Sequence, residues 1–273
     1  MKKIEALISD ADGTLVNTVS LIRRGQYETA KKYLIEHGLL ESDIPSYESF
    51  EKHLNEVVGG SARETLEKTV KLLFESTPDH LDSINYDHLH EMLNPIQDEL
   101  ANSTVESYEG LESFLQWLGS SGIKLAIFTS GTPHHVVRNF GISLPRLRLA
   151  ELYKDKTKTD IEKLTEFTEK LKKDFVIPEF AIVTADDTIK HKPDPESLNL
   201  AMKRLGVLPE SVAVLGDHTV DMQTATNAGV EVRIGITHGF ADSETLRANG
   251  AKYLAHSLAD VRKVIELYQV AEV

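Results

Sequence analysis

The chain has 273 residues, 41% of them hydrophobic, and a formal net charge of −13. That length supports one large core or two modest ones; the absence of cysteine excludes a disulfide framework, and the acidic balance argues against nucleic acid while leaving open a small phosphate held by a cation. Lys2 and Lys3 precede an apolar stretch broken by Glu5, Ser9 and Asp10, and no later run is long enough for a bilayer, so neither signal peptide nor membrane span is expected and the chain reads as cytoplasmic.

Ile4 to Ile8 reads as a short buried strand entering a turn, Asp10 to Leu15. From Ser20 to about Leu100 the pattern is helical. Leu21, Tyr27, Ala30, Leu34 and Ile35 mark one amphipathic helix ending near Gly38. Phe50, Leu54 and Val57 mark a second, ended by Gly59 and Gly60. Ser61 is placed to cap a third, with Glu64 three residues on and Leu66, Val70 and Leu73 behind it. Tyr86 to Leu100 is a fourth. From Gly122 onward strands alternate with helices. The strands are Ile123–Phe128, Phe180–Val183, Val212–Leu215, Val230–Ile234 and Ala251–Leu254; Pro195–Leu205 and Val220–Ala228 are helical. This alternation predicts a parallel sheet covered on both faces, joined by the first strand. Hence the expected fold is α/β, a doubly wound parallel-sheet core (1–16 plus 105–273) with an all-α insertion (17–104) hinged near Val16–Thr18 and Ser103–Glu109. Leu152 to Asp174, rich in Lys, Glu, Asp and Thr, carries Ile161, Leu164, Phe167 and Leu171 at helical spacing and reads as a solvated amphipathic helix packed on the sheet.

Four segments bear chemistry, each at a turn of the α/β part. Asp10 and Asp12 lie at the carboxyl end of the first strand, where doubly wound folds bind ligands. Such a pair shares a hard cation or divides nucleophile and acid/base roles, or it is a polar turn. Thr129, Ser130 and Gly131 follow the Ile123–Phe128 strand; their hydroxyls and amides suit phosphate oxygens, or supply a helix N-cap. Lys192, in His191-Lys-Pro-Asp-Pro195, is a cation on a stiff turn, positioned for a phosphoryl group or merely solvated. Asp217 ends the Val212–Leu215 strand and Asp221 follows one helical turn later. With Asp10 and the Asp12 carbonyl they form a candidate oxygen site for Mg²⁺; the alternative is an acid-rich helix N-terminus.

In order, these segments resemble the four motifs of the haloacid dehalogenase superfamily: D-x-D-G-T-L, strand-T/S, K-P and G-D-x-x-x-D. The resemblance covers nearly the whole chain and implies a Rossmann-like core carrying a small helical cap between the first two motifs. It implies Asp10 as nucleophile, Asp12 as acid/base, Thr129 and Lys192 as phosphate ligands, and Mg²⁺ on Asp10, Asp12 and Asp217 with Asp221 in support. Gly59-Gly-Ser-Ala-Arg-Glu-Thr-Leu66, Asn227-Ala-Gly229 and Gly235-Ile-Thr-His-Gly239 resemble the phosphoglycolate-phosphatase-like branch, in which the first of these segments faces substrate. His218 and His191 stand where that family more often has threonine and glycine, and the 152–174 stretch is long for the family.

The implied activity is Mg²⁺-dependent hydrolysis of a small phosphorylated metabolite through an aspartyl-phosphate. Ser130, Gly131 and Arg63 are candidate substrate contacts, Arg63 for a second anionic group; an exposed first-turn arginine is the plainer reading. Asp12 argues against a dehalogenase. Arg63, which does not readily deprotonate, argues against a phosphonate hydrolase with a cap lysine. A sugar phosphomutase keeps all four motifs and is the main alternative; a non-catalytic regulatory protein on this scaffold is the other. Oligomeric state is not legible.

Overall fold

A computed structural model describes residues 3–57, 62–73 and 84–269. The chain divides into two compact units, Met1–Asn17 with Glu106–Val273, and Thr18–Val105. No helix among the described residues is long and apolar enough to cross a membrane.

The first unit begins with β1 (Ala6–Ser9), buried at all four residues. Strand β2 (Val16–Asn17) leads out of the unit and pairs antiparallel with β3 (Glu106–Ser107), which leads back in.

Among the described residues the second unit holds the α-helices α1 (Val19–Glu36), α2 (Tyr47–Val57), α3 (Ala62–Leu73) and α4 (Tyr86–Thr104). Their inward faces form one apolar cluster that includes Tyr27, Tyr33, Leu34, Phe50, Leu66, Val70, Leu89 and Leu93. Leu34 is buried on the inward face of α1 as expected, but Ile35 is exposed and Tyr33 takes its place on that face. Asn85 caps α4, accepting from the His88 amide, and the Tyr33 hydroxyl accepts from the Asn85 amide at 2.7 Å. The expected stop at Gly59-Gly60 and the cap at Ser61 lie outside the described residues.

Back in the first unit follow α5 (Leu111–Ser120), β4 (Lys124–Phe128), α6 (Pro133–Ser143), α7 (Asp160–Asp174), β5 (Phe180–Val183), α8 (Glu196–Leu205), β6 (Val212–Gly216), α9 (Thr219–Asn227), β7 (Val232–Ile236), α10 (Ser243–Ala248), β8 (Tyr253–Ala255) and α11 (Leu258–Gln269). Six strands form one parallel sheet in the order β5-β4-β1-β6-β7-β8. These strands are nearly continuous apolar runs because helices cover the sheet. Connections run outward from β1 to one side through β4 and β5, then cross back to β6 on its other side. The crevice at the carboxyl ends of β4, β1 and β6 is therefore a topological switch point, the usual ligand position in open α/β sheets.

Two strand boundaries differ from the sequence expectation for one reason. Val230 donates its amide to the Ala225 carbonyl and Ala251 donates to Leu246, so both residues close the preceding helices, each just after a positive-φ glycine, Gly229 or Gly250. The strands β7 and β8 accordingly start at Val232 and Tyr253. Within 152–174 the α-helix begins only at Asp160. Thr159 and Glu162 form a capping box there, and Thr157 turns back onto Asp155. Phe167 and Leu171 are buried, whereas Ile161 is exposed.

Gly119 lies inside α5, where glycine weakens a helix. A methyl group there would overlap the Phe175 carbonyl oxygen, so the residue is required by close backbone approach. We expect Gly119→Ala to destabilise the chain by about 1–3 kcal/mol in spite of alanine's better helix propensity. Thermal or denaturant unfolding measures this; an unchanged or raised midpoint would contradict the packing described.

Candidate active site

Four turns of the first unit meet at the switch point. Asp10 continues β1, its amide donating to the Leu215 carbonyl at 2.9 Å, so the ladder with β6 extends one residue past the strand and fixes the Asp10 backbone. Asp12 follows two residues on. Gly13, with φ +80°, makes the turn, and the hydroxyl of Thr14 donates to Asp217 Oδ1 at 2.6 Å. Asp217 follows β6 directly. Asp221 lies in the first turn of α9 and accepts from the His218 amide at 3.0 Å. Lys192, on the loop before α8, donates to Asp10 Oδ1 and to Asp221 Oδ1, both at 2.7 Å. Its ammonium also lies 3.7 Å from the centre of the Phe128 ring, a cation–π contact at the end of β4.

Asp10, Asp217 and Asp221 each bring one carboxylate oxygen within 4.8 Å of the others, and all three residues are buried. Lys192 balances two of these acids. Asp217 accepts from two neutral donors, the Thr14 hydroxyl and the Phe240 amide at 2.8 Å. Burial and the neighbouring Asp221 push its carboxyl up to about 7. Burial likewise pushes Asp10 well above the usual carboxylate range; Lys192 opposes this, while Asp221, Asp217 and Asp12 reinforce it. Burial alone would lower the Lys192 ammonium, but Asp10 and Asp221 outweigh it and hold the group charged. Two glycines make room for Asp217: a methyl group at Gly13 or Gly239 would overlap its Oδ2. Three buried acids and one lysine leave a deficit of positive charge among hard oxygen donors, which suits a divalent ion such as Mg²⁺.

Thr129, buried at the end of β4, accepts the Gly131 amide at 2.9 Å, tightening the turn ahead of α6. Ser130 and Gly131 are half-buried beside it. Asp12 stands apart from the carboxylate cluster: its Oδ1 accepts from Asn139 Nδ2 at 2.8 Å. The structure thus gathers Asp10, Asp12, Thr129, Ser130, Gly131, Lys192, Asp217 and Asp221 on the ends and connecting loops of one sheet. Arg63 belongs to the helical unit, where it is held by Glu67 at 3.1 Å and Asp87 at 2.7 Å. Both carboxylates belong to its own unit, and the side chain is half exposed.

Sequence reading missed the residues that hold the turns. Tyr108 donates its hydroxyl toward the carbonyls of Gly13 and His238, each at 3.1 Å, and stacks on the His238 ring with centroids 3.6 Å apart. His238 Nε2 lies 3.0 Å from the Thr14 carbonyl. Burial lowers the His238 pKa, only partly opposed by that contact. Of these, His238 was visible only as part of the Gly235–Gly239 segment.

The chain belongs to the haloacid dehalogenase-like hydrolase family, whose model matches residues 4–229. It is similar to a phosphorylated carbohydrates phosphatase of Thermotoga maritima, 28% identical over 249 residues that cover 91% of this chain and 92% of the relative. A pyrophosphatase, PpaX, of Bacillus cereus is 27% identical over 229 residues, 84% of this chain and 82% of the relative. Among solved structures, a Thermotoga maritima protein provisionally named a β-phosphoglucomutase shares the fold, with a TM-score of 0.61 and 23% identity over 97% of this chain and 99% of its own.

A carboxyl whose pKa is raised on folding favours the native state while protonated and works against it as pH climbs from the unfolded value, 3.8 for Asp217, to the folded one, about 7. In chelator, the melting temperature should fall between pH 5 and pH 8, and fall less in Asp217→Asn. Added Mg²⁺ should raise it more at pH 8 than at pH 5. A pH-independent melting point, unmoved by Mg²⁺, would contradict the charge deficit described.

Proposed function

We propose that the chain is a phosphatase that transfers the phosphoryl group of a small phosphomonoester first to Asp10 and then to water. The carrying observation is Asp10 itself: a carboxylate at the switch point, one oxygen on Lys192, among buried acids short of a balancing cation. Asp10, Asp217 and Asp221, with the Asp12 carbonyl, are assigned to hold Mg²⁺, which when bound supplies positive charge to the phosphoryl oxygens and offsets repulsion between acids and phosphate.

The protein groups divide the remaining work. Asp10 attacks phosphorus, splitting one displacement into two. Lys192 fixes Asp10 by its hydrogen bond and supplies a permanent cation beside the transferred group. Thr129, Ser130 and Gly131 offer hydroxyls and amides to the phosphoryl oxygens. Asp12 donates a proton to the departing oxygen, then takes one from the water that hydrolyses the aspartyl-phosphate. The helical unit, acting as a cap, is assigned the choice among esters, as insertions vary freely on one scaffold. The relatives' names, for phosphorylated carbohydrates and pyrophosphate, support phosphoryl transfer to water with different leaving groups. A phosphomutase on this framework would instead return the phosphoryl group to a sugar.

Quenching the enzyme in acid during turnover should trap a phosphoryl group on Asp10, identified by peptide mass, and yield inorganic phosphate as product. Asp10→Asn should lose both while keeping its fold; normal turnover in that variant overturns the proposal, and a bisphosphorylated or isomerised sugar as product points to the mutase.

Asp12 and Asp217 should fail differently. Asp12→Asn should cut kcat about 100-fold or more at saturating Mg²⁺, the usual scale of lost acid/base catalysis. Asp217→Asn should raise the Mg²⁺ concentration needed for half-maximal rate and recover partly in excess Mg²⁺. Equal, Mg²⁺-insensitive losses would refute this division.

A further inference from the structure

Behind Asp12 lies a second layer that no step above uses. Arg138, on α6, is among the largest fully buried side chains of the described residues, only 1% exposed. Its Nε donates to Asn139 Oδ1 at 2.9 Å, and Asn139 Nδ2 donates to Asp12 Oδ1 at 2.8 Å. A guanidinium has donors only. It therefore accepts one orientation of the Asn139 amide, oxygen toward Arg138 and nitrogen toward Asp12; the flipped amide would set donor against donor. Asn139 is itself buried, so water does not readily replace either bond.

We propose that Arg138 and Asn139 are positioning residues that decide which oxygen of Asp12 carries the catalytic proton. This rests on the phosphatase reading. Asp12 Oδ1 accepts the Asn139 N–H and so serves as the carbonyl oxygen of the protonated acid; the proton belongs on Oδ2. That oxygen is on the Gly131 side, where a Cβ at Gly131 would come within 3.5 Å of it, and so faces the turn assigned to the phosphoryl group. In the first step an Asp10 oxygen forms its bond to phosphorus. The ester P–O bond breaks with its electron pair going to the ester oxygen, and the proton on Asp12 Oδ2 passes to that oxygen. The products are an alcohol, the aspartyl-phosphate and an Asp12 carboxylate still held through Oδ1, with Oδ2 ready to take a proton from water.

Arg138 and Asn139 being adjacent on one helix makes the device local to α6, while Asn139 reaches Asp12 across 127 positions of sequence. A role limited to packing would affect all substrates alike. A role in aiming the proton affects substrates according to how much their leaving group needs one.

The test compares kcat/KM for a simple alkyl phosphate, whose alkoxide needs protonation, with that for 2,4-dinitrophenyl phosphate, whose phenolate does not. Both give the same phospho-enzyme, so their ratio isolates the first step and is independent of the folded fraction in a preparation. In Asn139→Leu the alkyl-to-dinitrophenyl ratio should fall about tenfold or more, a part of the full contribution of a general acid. Arg138→Met should shift it in the same direction, and Arg138→Lys, which restores a donor, should recover part of it. Equal losses on both esters, or no loss in Asn139→Leu, overturn the assignment. Wild-type enzyme that releases phosphate from neither ester overturns the phosphatase reading itself.

Discussion

The arrangement of the site depends on one buried ion cluster. Lys192 bonds Asp10 and Asp221 at 2.7 Å each, while Asp217 lies close by with neutral donors. Burying a carboxylate is costly unless it is paired, and removing the partner of a buried pair typically costs several kcal/mol. A cluster of three acids and one lysine is therefore a poor device for stability. Its charge deficit is what the proposed divalent ion would offset. The close packing of Gly13 and Gly239 on Asp217 shows how much of the local backbone is shaped around that single carboxylate.

Topology makes the cluster possible. Asp10, Lys192 and Asp217 are far apart in the chain, but β1 is central in the sheet, between β4 and β6, and all six strands run the same way. Every strand end consequently delivers its turn to one edge. The two-stranded ribbon of β2 and β3 lets the chain leave this edge for the helical unit and return beside its point of departure. Tyr108, one residue beyond β3, then bonds back to the Gly13 carbonyl, so the re-entry point is tied to the turn that carries Asp10 and Asp12.

Much of this was legible because the chemistry sits beside the pattern. Asp10, Thr129 and Asp217 each follow an apolar run by no more than two residues, so recognising the strand places the side chain. The helices of the insertion were legible from their apolar spacing, although Ile35 showed that spacing alone does not choose between adjacent residues for the inward face. What escaped was contact at long range. Nothing around Asn139 in the sequence marks it as the partner of Asp12, and Tyr108 looks like any aromatic residue near a domain boundary. Strand starts at Val232 and Tyr253 were missed because β-branched and apolar residues just after a helix are first used to close that helix.

The most direct test of the covalent route through Asp10 is the stereochemistry at phosphorus. Hydrolysis of an isotopically chiral phosphorothioate monoester in labelled water should proceed with overall retention, because two in-line displacements, one by Asp10 and one by water, each invert the centre. Overall inversion would mean that water attacks the ester directly, and that Asp10 is not the nucleophile.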